Sequence, residues 1–180
     1  MLPRPEGRWA RFKSRAGLER DYRRFRFRAH EEITTAQKLL SPEQFSRYFK
    51  FAIVRNPWRR LVSEYEFLLR SPNHGRHRKV KELGGFEGFV EMQIPRRDAY
   101  QMNQLCDRDG NFLMDFVGRM ECLGSDWKSI CGRIGIPHQA LPHKNFGVSR
   151  PYTEYYSPES RDLVAKHWAR EIEQFGYDFG

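Results

Sequence analysis

The residues best placed to do chemistry lie between positions 48 and 63. A short aromatic and β-branched run, Tyr48-Phe49-Lys50-Phe51-Ala52-Ile53-Val54, ends in Arg55-Asn56-Pro57, which has the composition of a strand running into a turn. Asn56 suits a helix cap and Pro57 a first helical turn, so the pattern predicts a helix from Trp58 to Arg70. A strand that delivers an arginine to the start of a helix is a recipe for holding phosphate. The guanidinium of Arg55 is a planar fork matched to phosphate oxygens. Backbone N–H groups at the helix start, and the helix dipole, favour negative charge nearby. Ser63 follows two helical turns on, roughly on the same face, where its hydroxyl can reach the same anion. The residues alone equally allow Arg55 to pair with a core carboxylate and Ser63 simply to pack.

The elements around this segment read as one α/β layer domain. Residues 31–40 read as a short helix, and Ser41-Pro42-Glu43 opens another. Residues 71–85, polar and His-rich, read as an exposed loop, and Phe86 to Gln93 as a short helix. Residues 110–120 read as a turn and a buried strand, and 126–133 as a helix closed by Gly135. Residues 137–152 hold three prolines and read as loop. Ser157-Pro158-Glu159 starts a last helix running to about Phe175.

A chain of 180 residues suits one domain, and its 14 Phe, 8 Tyr and 4 Trp supply bulky core material. No apolar run approaches the roughly 20 residues needed to cross a bilayer. The first thirty residues hold no apolar stretch of the secretory type. Cys106, Cys122 and Cys131 lack paired zinc spacing and fit reduced core or semi-buried thiols in a cytoplasmic setting. The net charge is +9, and ten Lys or Arg against three acids in residues 1–28 place +7 of it there. This stretch reads as a basic arm, with 29–180 as the domain. The arm can be merely solvated, or can attract an anionic surface or substrate. No nucleic-acid-binding signature accompanies it.

The string FKFAIVRNPWRRLVSEYEFLL resembles the 3′-phosphate motif of sulfotransferases. Further blocks resemble that family in order: RAHEEITTAQKLLSPEQFSRYFKF before it, then FVGRMECLGSDWKSICGRIGIP and LPHKNFGVSRPYTEYYSPESRDLVAKHWAREIEQFGYDF. Together they span about residues 28–179 and are similar to carbohydrate sulfotransferases and related bacterial proteins. The resemblance implies a P-loop-like α/β fold with a parallel sheet flanked by helices. It implies the donor 3′-phosphoadenosine 5′-phosphosulfate, a hydroxyl acceptor, typically on a sugar, and no metal. It puts Arg55 and Ser63 on the positions that hold the donor's 3′-phosphate, and Asn145, Ser149 and Arg150 in a loop near the nucleotide. Arg119 and Glu121 match a family pair read as structural, an internal ion pair.

Sulfuryl transfer requires the acceptor oxygen to lose its proton as it attacks sulfur, and a histidine is a usual base. His30 is the candidate, placed upstream of the strand where some carbohydrate sulfotransferases carry a catalytic histidine. Glu31 and Glu32 can orient it or compete with it, and a capping or surface role is the alternative. His74, His77 and His138 lie in stretches read as solvent-facing loop.

The family's other phosphate-gripping element, a loop with Lys and hydroxyl residues after a first apolar strand, has only a faint echo in Lys13-Ser14-Arg15-Ala16-Gly17. The sequence therefore leads us to expect a domain lacking its first strand and phosphosulfate loop, as a truncated or decayed relative would. Two alternatives to an active enzyme stay open: an inactive relative with partial nucleotide binding, and a polyanion binder acting through the basic arm.

Overall fold

A computed structural model of the chain describes residues 31–141 and 150–180. Helices α1 (Ile33–Leu39) and α2 (Pro42–Arg47) lead into strand β1 (Phe51–Val54). Ser41 closes the start of α2 with a full capping box, accepting from the Gln44 N–H while the Gln44 side chain accepts from the Ser41 N–H. Helix α3 (Pro57–Arg70) follows β1 at once. The stretch expected to be loop contains a further helix, α4 (His77–Glu82), because Val80 drops into the core and pins it there. Helix α5 spans the expected Phe86–Gln93.

A 3-10 turn (Arg97–Ala99) and the short helix α6 (Met102–Leu105) then precede strand β2 (Phe116–Arg119). Strand β2 is less covered than expected, since only Gly118 of its four residues is buried. A side chain at Gly118 would collide with Ile53 Cδ1 at 2.7 Å and Asp126 Cβ at 3.0 Å, so glycine permits the close approach of β1, β2 and the next helix. That helix, α7 (Leu123–Ile134), starts three residues earlier than expected and ends at Gly135, whose φ of 71° is the left-handed cap that glycine favours.

The last helix is two. Helix α8 (Pro158–His167) and helix α9 (Ala169–Phe175) break at Trp168, whose φ and ψ of −103° and 17° leave the helical region. The break lets the fully buried indole donate from Nε1 to the Ala99 carbonyl at 3.1 Å and stack on Tyr100. Tertiary packing overrides the helical pattern there.

Strands β1 and β2 pair in parallel, Phe51 beside Phe116 through Val54 beside Arg119. The chain is thus an α/β protein with a small parallel sheet flanked by helices. The main core gathers Trp58, Leu61, Val62 and Leu68 of α3 with Val80, Phe86, Phe89, Val90, Val164 and Trp168. A smaller core joins Val54 to Met102, Leu105, Cys106, Phe175 and Tyr177. Cys106 and Cys131 are buried free thiols, whereas Cys122 is exposed, unlike the semi-buried position expected for it. None of the described helices is long and apolar enough to cross a membrane.

Candidate functional site

The carbonyl of Lys50 accepts from Phe116 of β2, so by the alternation of a parallel ladder Ala52 and Val54 also face β2. Phe51, Ile53 and Arg55 turn their backbone groups to the opposite edge. At Arg55 that edge is met by a side chain. Gln101 accepts the Arg55 N–H at 2.9 Å and donates to the Arg55 carbonyl at 2.9 Å, as a neighbouring strand would. The same amide donates to Glu171 Oε2 at 2.8 Å, and Glu171 Oε1 accepts from the Met102 N–H at 3.3 Å. Glu171 is almost fully buried, and burial pushes its carboxyl above the ordinary range, against the opposing hydrogen bond from Gln101. A chain of polar groups thus runs from α9 to the carboxyl end of β1.

The Arg55 side chain stays half-buried. Burial lowers its pKa, the nearby Glu121 carboxylate opposes this, and the like charge of Arg59 adds to it. Its Nε is shut off from solvent and has no hydrogen-bond partner among the described residues. No carboxylate there lies within ion-pair distance of it. Of the two sequence readings, pairing with a core carboxylate is therefore not what the fold does with Arg55.

Arg55 forms part of the wall of a cavity of about 580 Å³. Ala52, Ile53 and Val54 of β1 and Arg55 just after it all line it, with Met120 beyond the end of β2. Arg60, Glu64 and Phe67, one row of α3, form a second wall. Arg76, Gln93, Arg96, Asp98 and Gln101 lie across from them, and His74 joins the lining rather than standing out in solvent. Its Nδ1 accepts from the Arg76 N–H at 3.1 Å.

Ser63 is outside this lining. It sits in the adjacent row of α3 with Arg59 and Glu66, which faces residues 150–156. There Arg59 lies over the Tyr152 ring at 4.8 Å, Glu66 accepts from the Tyr155 hydroxyl at 2.8 Å, and Arg150 lies over the Tyr155 ring at 4.1 Å. Arg55 is tied to this row only through its nearness to Arg59.

The amides expected to be open at the helix start are closed. Asn56 Oδ1 accepts from both Trp58 N–H and Arg59 N–H, and Pro57 has none to offer. The Asn56 N–H itself donates to Glu121 Oε1 at 3.0 Å. An anion beside this turn would be met by guanidinium and hydroxyl groups rather than by backbone N–H.

A family model described as "Sulfotransferase family" matches residues 11–178 of the chain. The chain belongs to the sulfotransferase family. Its match begins inside the basic stretch 1–28, so the family's sequence pattern reaches further toward the start than residue 29. No curated protein and no solved structure matches the chain.

In this sulfotransferase the remaining site expectations fall out unevenly. His30, Asn145 and Ser149, and the 13–17 echo, lie outside the described residues. Glu32 is engaged by Arg97 at 3.3 Å and by the Thr34 hydroxyl, and Glu31 accepts from the Thr35 hydroxyl. Arg119 and Glu121 form no ion pair. Arg119 instead lies over the Tyr177 ring at 5.3 Å, and Glu121 serves Asn56 and the Tyr177 hydroxyl. Gln101, Glu171, Gln93, Arg60 and Arg96 went unnoticed in the sequence. A cluster of arginines just past the Arg55 turn, Arg59-Arg60, was the one local hint.

Proposed function

We propose that this sulfotransferase moves a sulfuryl group from 3′-phosphoadenosine 5′-phosphosulfate to a hydroxyl group, carried by a carbohydrate. Arg55 holds the donor's 3′-phosphate, with Ser63 as a second ligand to the same group and Arg59 adding charge beside them. The acceptor oxygen attacks sulfur in line. An oxygen–sulfur bond forms to the acceptor while the bond from sulfur to the oxygen of the 5′-phosphate breaks, leaving adenosine 3′,5′-bisphosphate. The acceptor's proton goes to His30 as general base.

One observation carries this reading. Within a chain of this family, β1 leads into a half-buried guanidinium that Glu121 influences only from beyond ion-pair distance and whose Nε has no partner among the described residues. A charge kept in that state is costly unless an anion joins it. The backbone around it is fixed by Gln101, so the point from which the side chain departs is set before any ligand arrives. The fit is to phosphate oxygens through side chains alone, since Asn56 already occupies the helix amides.

The test is titration calorimetry with adenosine 3′,5′-bisphosphate. The parent protein should bind it, and Arg55→Ala should weaken binding by about 2 kcal/mol or more, the size of a charge-assisted contact. Equal binding by parent and variant would remove Arg55 from the site. Transfer of radiolabelled sulfate from the donor to a sugar panel then tests the reaction itself.

A further inference from the structure

The carboxylate of Glu171 sits where it costs the fold free energy. It is 1% exposed in the first turn of α9, and among the described residues no cation lies within ion-pair distance of it. Burial pushes its carboxyl up, opposed by the Gln101 hydrogen bond and by the more distant charge of Arg60. Packing does not require such a group, since an apolar residue of similar volume fills a buried site at lower cost. Nor is it needed to dock α9. Trp168, at the start of that helix, already ties it to the 97–99 turn by donating from Nε1 to the Ala99 carbonyl.

What Glu171 does instead is fix one amide. Gln101 Nε2 has two protons, one given to the Arg55 carbonyl at 2.9 Å and the other to Glu171 Oε2 at 2.8 Å. Gln101 Oε1 accepts the Arg55 N–H at 2.9 Å. The last torsion of a glutamine side chain is soft and allows a half-turn that exchanges oxygen and nitrogen. After that half-turn the oxygen would face the Glu171 carboxylate and the Arg55 carbonyl, acceptor against acceptor. Glu171 forbids it. Its other oxygen accepts from the Met102 N–H at 3.3 Å, which holds the main chain next to Gln101 as well. A carboxylate accepts from both donors, whereas a glutamine amide in its place would turn its own NH2 on one of them.

We propose that Glu171 is a positioning residue for sulfuryl transfer, acting through the Gln101 amide to set the point from which the Arg55 side chain departs toward the donor's 3′-phosphate. The inference rests on the reading of Arg55 as a ligand of the donor. Glu171 acts without touching the donor. Its effect is confined to the 3′-phosphate end, because the chain of groups ends at the Arg55 main chain.

Two probes that differ by that phosphate alone, adenosine 3′,5′-bisphosphate and adenosine 5′-monophosphate, isolate the effect. Calorimetry on the full chain should show the parent preferring the bisphosphate. Glu171→Gln keeps the size of the side chain. It should shrink the preference by about tenfold, less than the roughly hundredfold loss that a misplacement of about 1 Å brings, and leave monophosphate affinity unchanged. Val90→Ala, in α5 and outside the chain of polar groups, should lower the melting temperature and leave the preference intact. Arg55→Ala should abolish the preference, and adding Glu171→Gln to it should change nothing further. A parent without the preference, or an Arg55→Ala protein that keeps it, defeats the donor reading and this proposal with it. If Arg55→Ala loses the preference and folded Glu171→Gln keeps it, the role of Glu171 alone is overturned. Equal weakening of both probes by Glu171→Gln overturns it too, because that marks a purely structural role. Should Glu171→Gln not fold, Gln101→Met, close in length and without the amide, carries the same comparison. Failure of both to fold overturns the proposal.

Discussion

Replacing Gln101 by alanine isolates the group that fixes the Arg55 backbone. The side chain makes two hydrogen bonds to the Arg55 main chain at 2.9 Å each and donates to Glu171 at 2.8 Å. The neutral pair contributes about 1 kcal/mol each and the bond to the carboxylate about 2 kcal/mol, so the loss should be about 4 kcal/mol. Burial supports the upper part of the range, because Gln101 and Glu171 are both shielded from water that would replace the missing donor. For a chain of this size about 2–4 °C of melting temperature goes with each kcal/mol, so the midpoint should fall by about 8–16 °C. Urea unfolding followed by circular dichroism gives the free energy directly. Gln101→Glu should be worse than Gln101→Ala, since it keeps an acceptor for the Arg55 N–H but places a second carboxylate against Glu171. A Gln101→Ala protein within about 1 kcal/mol of the parent would refute the chain of groups from α9 to β1.

Asn56→Ala removes the cap from Trp58 and Arg59 and the bond from Nδ2 to the Asp178 carbonyl, and should cost about 2 kcal/mol in urea unfolding. Trp168→Ala empties a fully buried indole site and frees the Ala99 carbonyl, for a loss of about 3–5 kcal/mol read in the same assay. Glu171 gives a pH signature. Burial raises its folded-state pKa above the unfolded value, so its favourable contribution is complete below the ordinary glutamate pKa and disappears as pH rises through the raised value. Glu171→Gln removes that titration. Melting temperatures of parent and variant should therefore converge or cross as pH rises above the ordinary glutamate value, and a constant difference would count against the raised carboxyl.

Local signals in the chain did well where neighbours in sequence are neighbours in space. Ser41, Asn56 and Ser157 cap the helices they were expected to cap, and Arg55-Asn56-Pro57 turns β1 into α3. The α/β layering followed from the alternation of strand and helix patterns, and the parallel sheet from the family resemblance. What could not be read depends on partners far along the chain. Gln101 meets a backbone 46 positions away and Glu171 meets Gln101 across 70, and neither has a periodicity or spacing that advertises it. Trp168 looks like one more apolar position of a long helix until the Ala99 carbonyl claims its N–H. Helix α4 was hidden because its six residues carry one buried side chain, too few to print a pattern. At the site, sequence alone named Arg55 but overstated the helix amides, since the side chain that makes Asn56 a good cap is the one that uses them up.

The Gln101 amide also sets where the sheet must stop. Any polypeptide laid alongside β1 on the side away from β2 can share hydrogen bonds with Phe51 and Ile53, but at Arg55 both main-chain groups are already spoken for. Such a strand has to peel off one residue pair early. The arginine thereby stands where a strand on that side would have to end, rather than within the sheet.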